Sequence, residues 1–110
     1  MSYAFKILGQ AVGDGSLNDI YTVPSETQAI IGNIVIVETA NGTPTYTVAL
    51  APAGASAVDK HLIANTVALT ARQTVEIGKG ATLTETDVIR FKGSGGGVTC
   101  QVWGVEITNS

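Results

Sequence analysis

Ala29-Ile30-Ile31-Gly32-Asn33-Ile34-Val35-Ile36-Val37 is the longest apolar stretch of the chain, and its reading decides the fold. Six of its nine residues are Ile or Val, stiff at χ1 and suited to a pleated surface. Apolar side chains point both ways along it, which predicts a central strand covered on both faces. One face would be covered by the protein's own second sheet, and the other by something else, a neighbouring subunit being one candidate.

Working outward, the same bias holds throughout. Val (12), Ile (10) and Thr (14) supply 36 of 110 residues, and thirteen glycines interrupt any long helix. Downstream, Asn41-Gly42 accepts the positive φ of a type I′ turn and predicts a hairpin into Thr45–Leu50, where Tyr46, Val48 and Leu50 share one side. Upstream, Tyr3–Leu8 reads as an edge strand and Ile20–Val23 as a short strand stopped by Pro24. Toward the C-terminus Gln73–Ile77 and Asp87–Lys92 alternate, separated by a turn at Gly78-Lys79-Gly80, and Gly93–Gly97 forms a loop. Residues 55–71 are ambiguous: Val58, Leu62 and Ile63 sit at helical spacing, whereas Asn65-Thr66, Val67 and Leu69 favour extended chain. In the last strand, Val98–Ile107, the register slips at Gly104. Val98, Cys100 and Val102 share one face and Trp103, Val105 and Ile107 the other, so a bulge at Gly104 would bring both sets, Trp103 included, into the core. These segments predict an all-β chain, residues 1–110 forming one antiparallel β-sandwich, jelly-roll-like, with seven or eight strands.

Charge narrows the function. Nine acidic against six basic residues give a net charge of −3, which argues against a nucleic-acid partner, whose footprint is a basic patch. No apolar run reaches the roughly 18 residues of a membrane-spanning helix. The N-terminus lacks the apolar core of a signal peptide, which predicts a soluble chain made in the cytoplasm. A single cysteine forbids an internal disulfide.

Each candidate for chemistry has a plainer reading. His61, the one histidine, lies in Asp59-Lys60-His61 beside no nucleophile motif, and Cys100 sits among valines, where a thiol acts as a small hydrophobe. Asp14-Gly15-Ser16-Leu17-Asn18-Asp19 opens like a calcium loop but has Asp19 where glycine belongs and Ser25 where the bidentate glutamate belongs, leaving a solvated turn. Glu85 and Asp87 read as solvated charges, Asn41-Gly42-Thr43 as a turn rather than a glycosylation site, and neither Gly78-Lys79-Gly80 nor the glycines from Gly93 make a phosphate cradle. The sequence therefore predicts no catalytic, cofactor-binding or metal-binding residues.

Only 14% of residues are charged, against about 25% in an average soluble domain. Soluble β proteins guard exposed edges with charge, lysine above all. Four lysines and two arginines defend this surface poorly, as expected if much of it is covered in an oligomer or a larger assembly.

Tyr21-Thr22-Val23-Pro24, Gln28-Ala29-Ile30-Ile31, Tyr46–Leu50 and Asp59-Lys60-His61, followed by Gly80-Ala81-Thr82-Leu83, Asp87-Val88-Ile89 and Val102-Trp103-Gly104-Val105-Glu106, resemble small virion proteins of tailed bacteriophages. The resemblance runs from about Leu8 to Ile107 through strand and turn patterns without chemistry. It implies a non-enzymatic β-sandwich on the capsid exterior, a decoration or cement protein binding the major capsid protein, with a homotrimer as its oligomeric form. The alternative it leaves is a tail, neck or fibre component acting as a binding module; a small carbohydrate-binding sandwich is a further alternative in that class. The termini, Met1–Phe5 and Thr108–Ser110, are expected to be loose arms that order against a neighbour.

Far-ultraviolet circular dichroism should show a β spectrum with helix below about a tenth of residues; a helix-dominated spectrum would contradict the assignment.

Overall fold

A computed structural model of the chain describes residues 2–39, 42, 44–55, 61–77, 80–94 and 97–108. Nine strands are present among them: β1 Ser2–Val12, β2 Asn18–Thr22, β3 Thr27–Glu38, β4 Thr45–Ala51, β5 Leu62–Ala68, β6 Thr74–Glu76, β7 Thr82–Leu83, β8 Val88–Gly93 and β9 Val98–Thr108. One 3-10 turn follows β4 at Pro52–Gly54.

All pairings are antiparallel. The first sheet runs β1-β9-β3-β6, with β7 also on β3, and the second runs β2-β8-β4-β5. β6 and β7 are two pieces of one lane beside β3. β6 pairs Val35–Val37, β7 pairs Ala29 and Ile30, and between them the N–H of Ile31 donates to Ala81 and that of Ile77 to Ile34. Eight lanes result, and the chain crosses between sheets in the order of a jelly roll. The expected β-sandwich is therefore observed, with the edge lane of the first sheet split in two.

The core lies between the sheets. Ile31, Ile34, Ile36, Val98, Cys100 and Val102 come from the first sheet, and Val48, Ile89 and Phe91 from the second, all 2% exposed or less. Tyr46 and Val48 face inward as expected, with Leu50 packed against the core. The position of β1 at a sheet edge also agrees with its reading.

Several expectations need correction. β3 and β4 belong to different sheets, so their connection crosses the sandwich and is not the hairpin expected at Asn41-Gly42; Asn41 itself lies outside the described residues. Thr27, Ala29 and Ile31 are buried, then Ile34, Ile36 and Glu38. The inward phase thus changes at Gly32-Asn33, where β3 carries an extra residue against Trp103 and Gly104 of β9. Much of the apparent two-sidedness of this strand is that phase change. β9 keeps period two without a bulge. The extra residues sit in its neighbours, Gly32 in β3 and Leu8 in β1. Trp103 consequently points away from the core and is 40% exposed, not buried. Residues 62–68 are strand β5, which excludes helix there. Residues 56–60 and the glycine-lysine pair 78–79 lie outside the described residues, as does part of the expected glycine loop (95 and 96). Ser2–Phe5 is no loose arm, because it is paired with Val105–Thr108 of β9; Met1 and residues 109–110 lie outside the description.

The bulges depend on close backbone contact. A Cβ on Gly104 would fall 2.0 Å from the Ile30 carbonyl oxygen and 2.9 Å from the Gly32 nitrogen. Neither atom belongs to a flexible side chain, so the strands must separate to admit a methyl group. Gly104→Ala should cost about 2–3 kcal/mol, at the upper end of overpacking penalties, read as a lowered midpoint in urea at unchanged slope. A midpoint equal to that of wild type would show that the β3–β9 contact tolerates side chains.

Candidate functional site

β1, β9 and β3 run side by side for most of their lengths. On the face turned away from the second sheet, Tyr3, Phe5 and Ile7 of β1 stand opposite Ile107, Val105 and Trp103 of β9. Ile30 of β3 lies beyond Val105. The alternation that directs Cys100 and Val102 inward sends Trp103, Val105 and Ile107 outward. Cross-strand neighbours on one face of an antiparallel pair touch, so these seven residues form one continuous surface. Its exposure is high: 85% at Phe5, 61% at Tyr3, 54% at Ile7 and 37% at Ile30. A depression of about 500 Å³ opens among Phe5, Ile7, Ile30, Trp103 and Val105. Its floor is Gly32, where a Cβ would come within 3.6 Å of Trp103 Cδ1.

On the opposite, core-facing side of β1 and β9 one polar group interrupts the apolar residues. Glu106 sits with its side chain only 12% exposed; its Oε1 accepts a hydrogen bond from Lys6 Nζ at 3.1 Å and its Oε2 one from the Tyr21 hydroxyl at 2.5 Å. Tyr21 belongs to β2, so this triad links the two sheets across β1, β9 and β2. The Tyr21 hydrogen bond, and then Lys6, hold the Glu106 carboxyl below its ordinary value against the opposing effect of burial. Burial and the adjacent Glu106 push the Tyr21 phenol above its ordinary range. The only formal charge of β1 is thus paired beneath the apolar surface.

Residues weighed for chemistry are dispersed and structurally employed. Asp14 Oδ1 accepts from the Ser16 N–H at 3.0 Å and from Asn18 Nδ2 at 2.9 Å, closing a turn. Asp19 pairs with Arg90 at 2.7 Å, and Arg90 also donates to the carbonyls of Gly54 and Ala55, strapping the 3-10 turn to β8. Glu85 accepts from the Glu26 N–H, and Asp87 from the N–H groups of Ala53 and Thr84. These two carboxylates pin loops. Cys100 is fully buried, and burial pushes its thiol up to about 12, away from the thiolate that reactivity requires. His61 is buried as well. Among the described residues no three His, Cys, Asp or Glu side chains gather as a metal centre would require.

Two features escaped the sequence reading. Glu38 is 2% exposed, and its carboxylate accepts the N–H groups of Gly42 at 3.2 Å and Arg72 at 2.9 Å, tying two connections to the end of β3. An acid closing an apolar strand is its only sequence signal. The apolar face itself was hidden because Trp103, Val105 and Ile107 were expected inside.

Tyr21→Phe should lower stability at neutral pH by about 1.5 kcal/mol, the scale of a hydrogen bond to a charged group. Because the Glu106 carboxyl is depressed in the folded state, its contribution is complete above the ordinary carboxylate range and is lost as pH falls through the folded value. The difference between wild type and Tyr21→Phe should therefore shrink on acidification in urea titrations at successive pH values. A difference constant down to pH 3 would remove Glu106 from the account.

No protein-family model matches the sequence, and no curated protein matches it. Among solved structures the chain is similar to one in the structure of infectious bursal disease virus, Gx strain, at 15% identity and a TM-score of 0.45, covering 99% of this chain and 32% of that one. It is also similar to a pentameric capsid protein isolated from metagenomic phage sequences, at 17% identity and a TM-score of 0.39, covering 96% of this chain and 64% of that one. The chain thus spans about a third and somewhat under two thirds of those two chains. Likeness at this level assigns no function.

Proposed function

We propose that this protein is a non-enzymatic structural component of a virion, a decoration or cement protein that binds the major capsid protein lattice from outside as a homotrimer. The observation that carries the reading is an uncharged, apolar sheet face of seven side chains, three of them aromatic, on a small jelly roll. Exposed patches of this kind mark protein–protein contact. The jelly roll is used in viral shells, lectins and cupins. A cupin holds its metal with several histidines, and this chain has one. A lectin presents aromatic platforms among polar groups that hydrogen-bond sugar hydroxyls, whereas Phe5, Trp103 and Ile30 stand among aliphatic neighbours. Contact, not chemistry, is what such a surface supports. The resemblance of the strand and turn sequences to tailed-phage virion proteins points the same way and supplies the three-fold stoichiometry.

The physical logic is additive. A rigid sandwich loses little conformational entropy on docking, and an oligomer that touches several capsid subunits gains avidity from each contact without any tight single site. Particles assembled with and without the protein provide the test. Those carrying it should withstand heat and low salt better than bare particles. Equal resistance, with the protein copurifying with tails, would replace the capsid reading by the tail alternative.

A further inference from the structure

We infer that the outer face of β1, β9 and β3 is the surface through which copies of this chain associate, its occupant being the same face of a second copy. The inference rests on the self-association in the proposed function and names its interface; identical patches meeting face to face are related by a two-fold axis, so a dimer takes the place of the homotrimer drawn from the resemblance.

Area is the first argument. Tyr3, Phe5 and Trp103, at 61%, 85% and 40% exposure, leave roughly 350 Å² of aromatic surface open. Ile7 and Ile30 bring the patch to about 500 Å², near the top of what a soluble monomer carries. Two such faces in contact would remove about 1,000 Å² from water before Val105 and Ile107 are considered, the threshold of a specific interface.

Shape is the second. The patch holds both a projection and a recess. Phe5 stands 85% exposed on the edge strand, and the recess floored by Gly32 opens beside it. A surface carrying its own knob and hole meets the condition for contact between identical patches.

Charge is the third. Tyr3, Phe5, Ile7, Ile30, Trp103, Val105 and Ile107 include no acidic or basic residue, and nearby Lys6 is paired with Glu106. In a protein of net charge −3, a partner of opposite charge would be met by acidic groups, which this face lacks. Identical faces meet here without like-charge repulsion, and the apolar character is that of homo-oligomer interfaces.

The edge adds to this. Among the described residues β1 has β9 on one side and no strand on the other. Its exposed outer edge carries Lys6 as its single charge over eleven residues, weak protection against pairing with another chain.

Sedimentation velocity of the full chain at micromolar concentration tests the inference. Wild type should sediment above monomer mass, with Trp103 emission shielded from iodide. Phe5→Asp should sediment as a monomer with Trp103 open to iodide, self-association being weakened at least about 100-fold by the buried charge. Because Phe5 lies outside the core, its circular dichroism and thermal transition should stay cooperative; Tyr3→Asp provides a second variant should Phe5→Asp not fold. Val67→Asp, on the exposed surface of β5, should keep the wild-type mass. A monomeric wild type with accessible Trp103 would overturn the inference. So would folded Phe5→Asp and Tyr3→Asp proteins of wild-type mass, which would leave the oligomer standing and move its interface elsewhere. Loss of particle binding by Phe5→Asp from a monomeric wild type would also overturn it, assigning the face to the capsid instead. An oligomer broken by Phe5→Asp that fails to bind any particle would uphold the interface and remove the capsid reading.

Discussion

The phase change in β3 at Gly32-Asn33 is the constraint on which the remaining structure depends. A strand of strict period two can bury Ala29 and Ile31 or Ile34 and Ile36, but not both pairs. One extra residue opposite Trp103 and Gly104 resolves the conflict and keeps all four inside. β1 makes the matching adjustment at Leu8 on the other side of β9. β9, held between two bulged neighbours, remains regular. That regularity sets Val98, Cys100 and Val102 on the core side and leaves Trp103, Val105 and Ile107 on the outside.

From this the character of the first sheet follows. Its inner face is apolar over the core but interrupted at Lys6 and Glu106, which with Tyr21 of the second sheet replace side-chain packing by charge-assisted hydrogen bonds. Its outer face is apolar across Tyr3, Phe5, Ile7, Ile30, Trp103, Val105 and Ile107. The first sheet thus presents outward a hydrophobic surface that the second sheet, packed on its other side, does not cover. Burying it would gain on the order of 25 cal/mol for each Å² removed from water, a driving force directed at something outside the monomer.

Loop closure follows a different rule in this chain. Carboxylates do much of it: Asp14, Glu38, Glu85 and Asp87 each accept backbone N–H groups. With few charged residues available, most of the acids that sequence reading treated as solvated are occupied in turns. They hold the connections of the jelly roll in place, and none of those contacts gathers groups for chemistry.

Composition and local pattern by themselves determined the all-β class, the single sandwich, most strand positions, and the inward placement of Cys100, Tyr46 and Val48. β-branched residues and turn glycines act over a few neighbours, so their message is readable along the chain. Sheet membership was not readable. Asn41-Gly42 is compatible with a hairpin, but β3 already has β9 on one side and β6 and β7 on the other, and only the closed topology shows that β4 must cross to the second sheet. The side on which Trp103 lies was equally out of reach, because an apolar residue near a glycine suits a bulge in its own strand as well as bulges in the two neighbours. The tertiary structure decided between these, and with them the candidate site. A bulge is a property of a pair of strands, since its extra residue is counted against a partner that the local sequence does not contain.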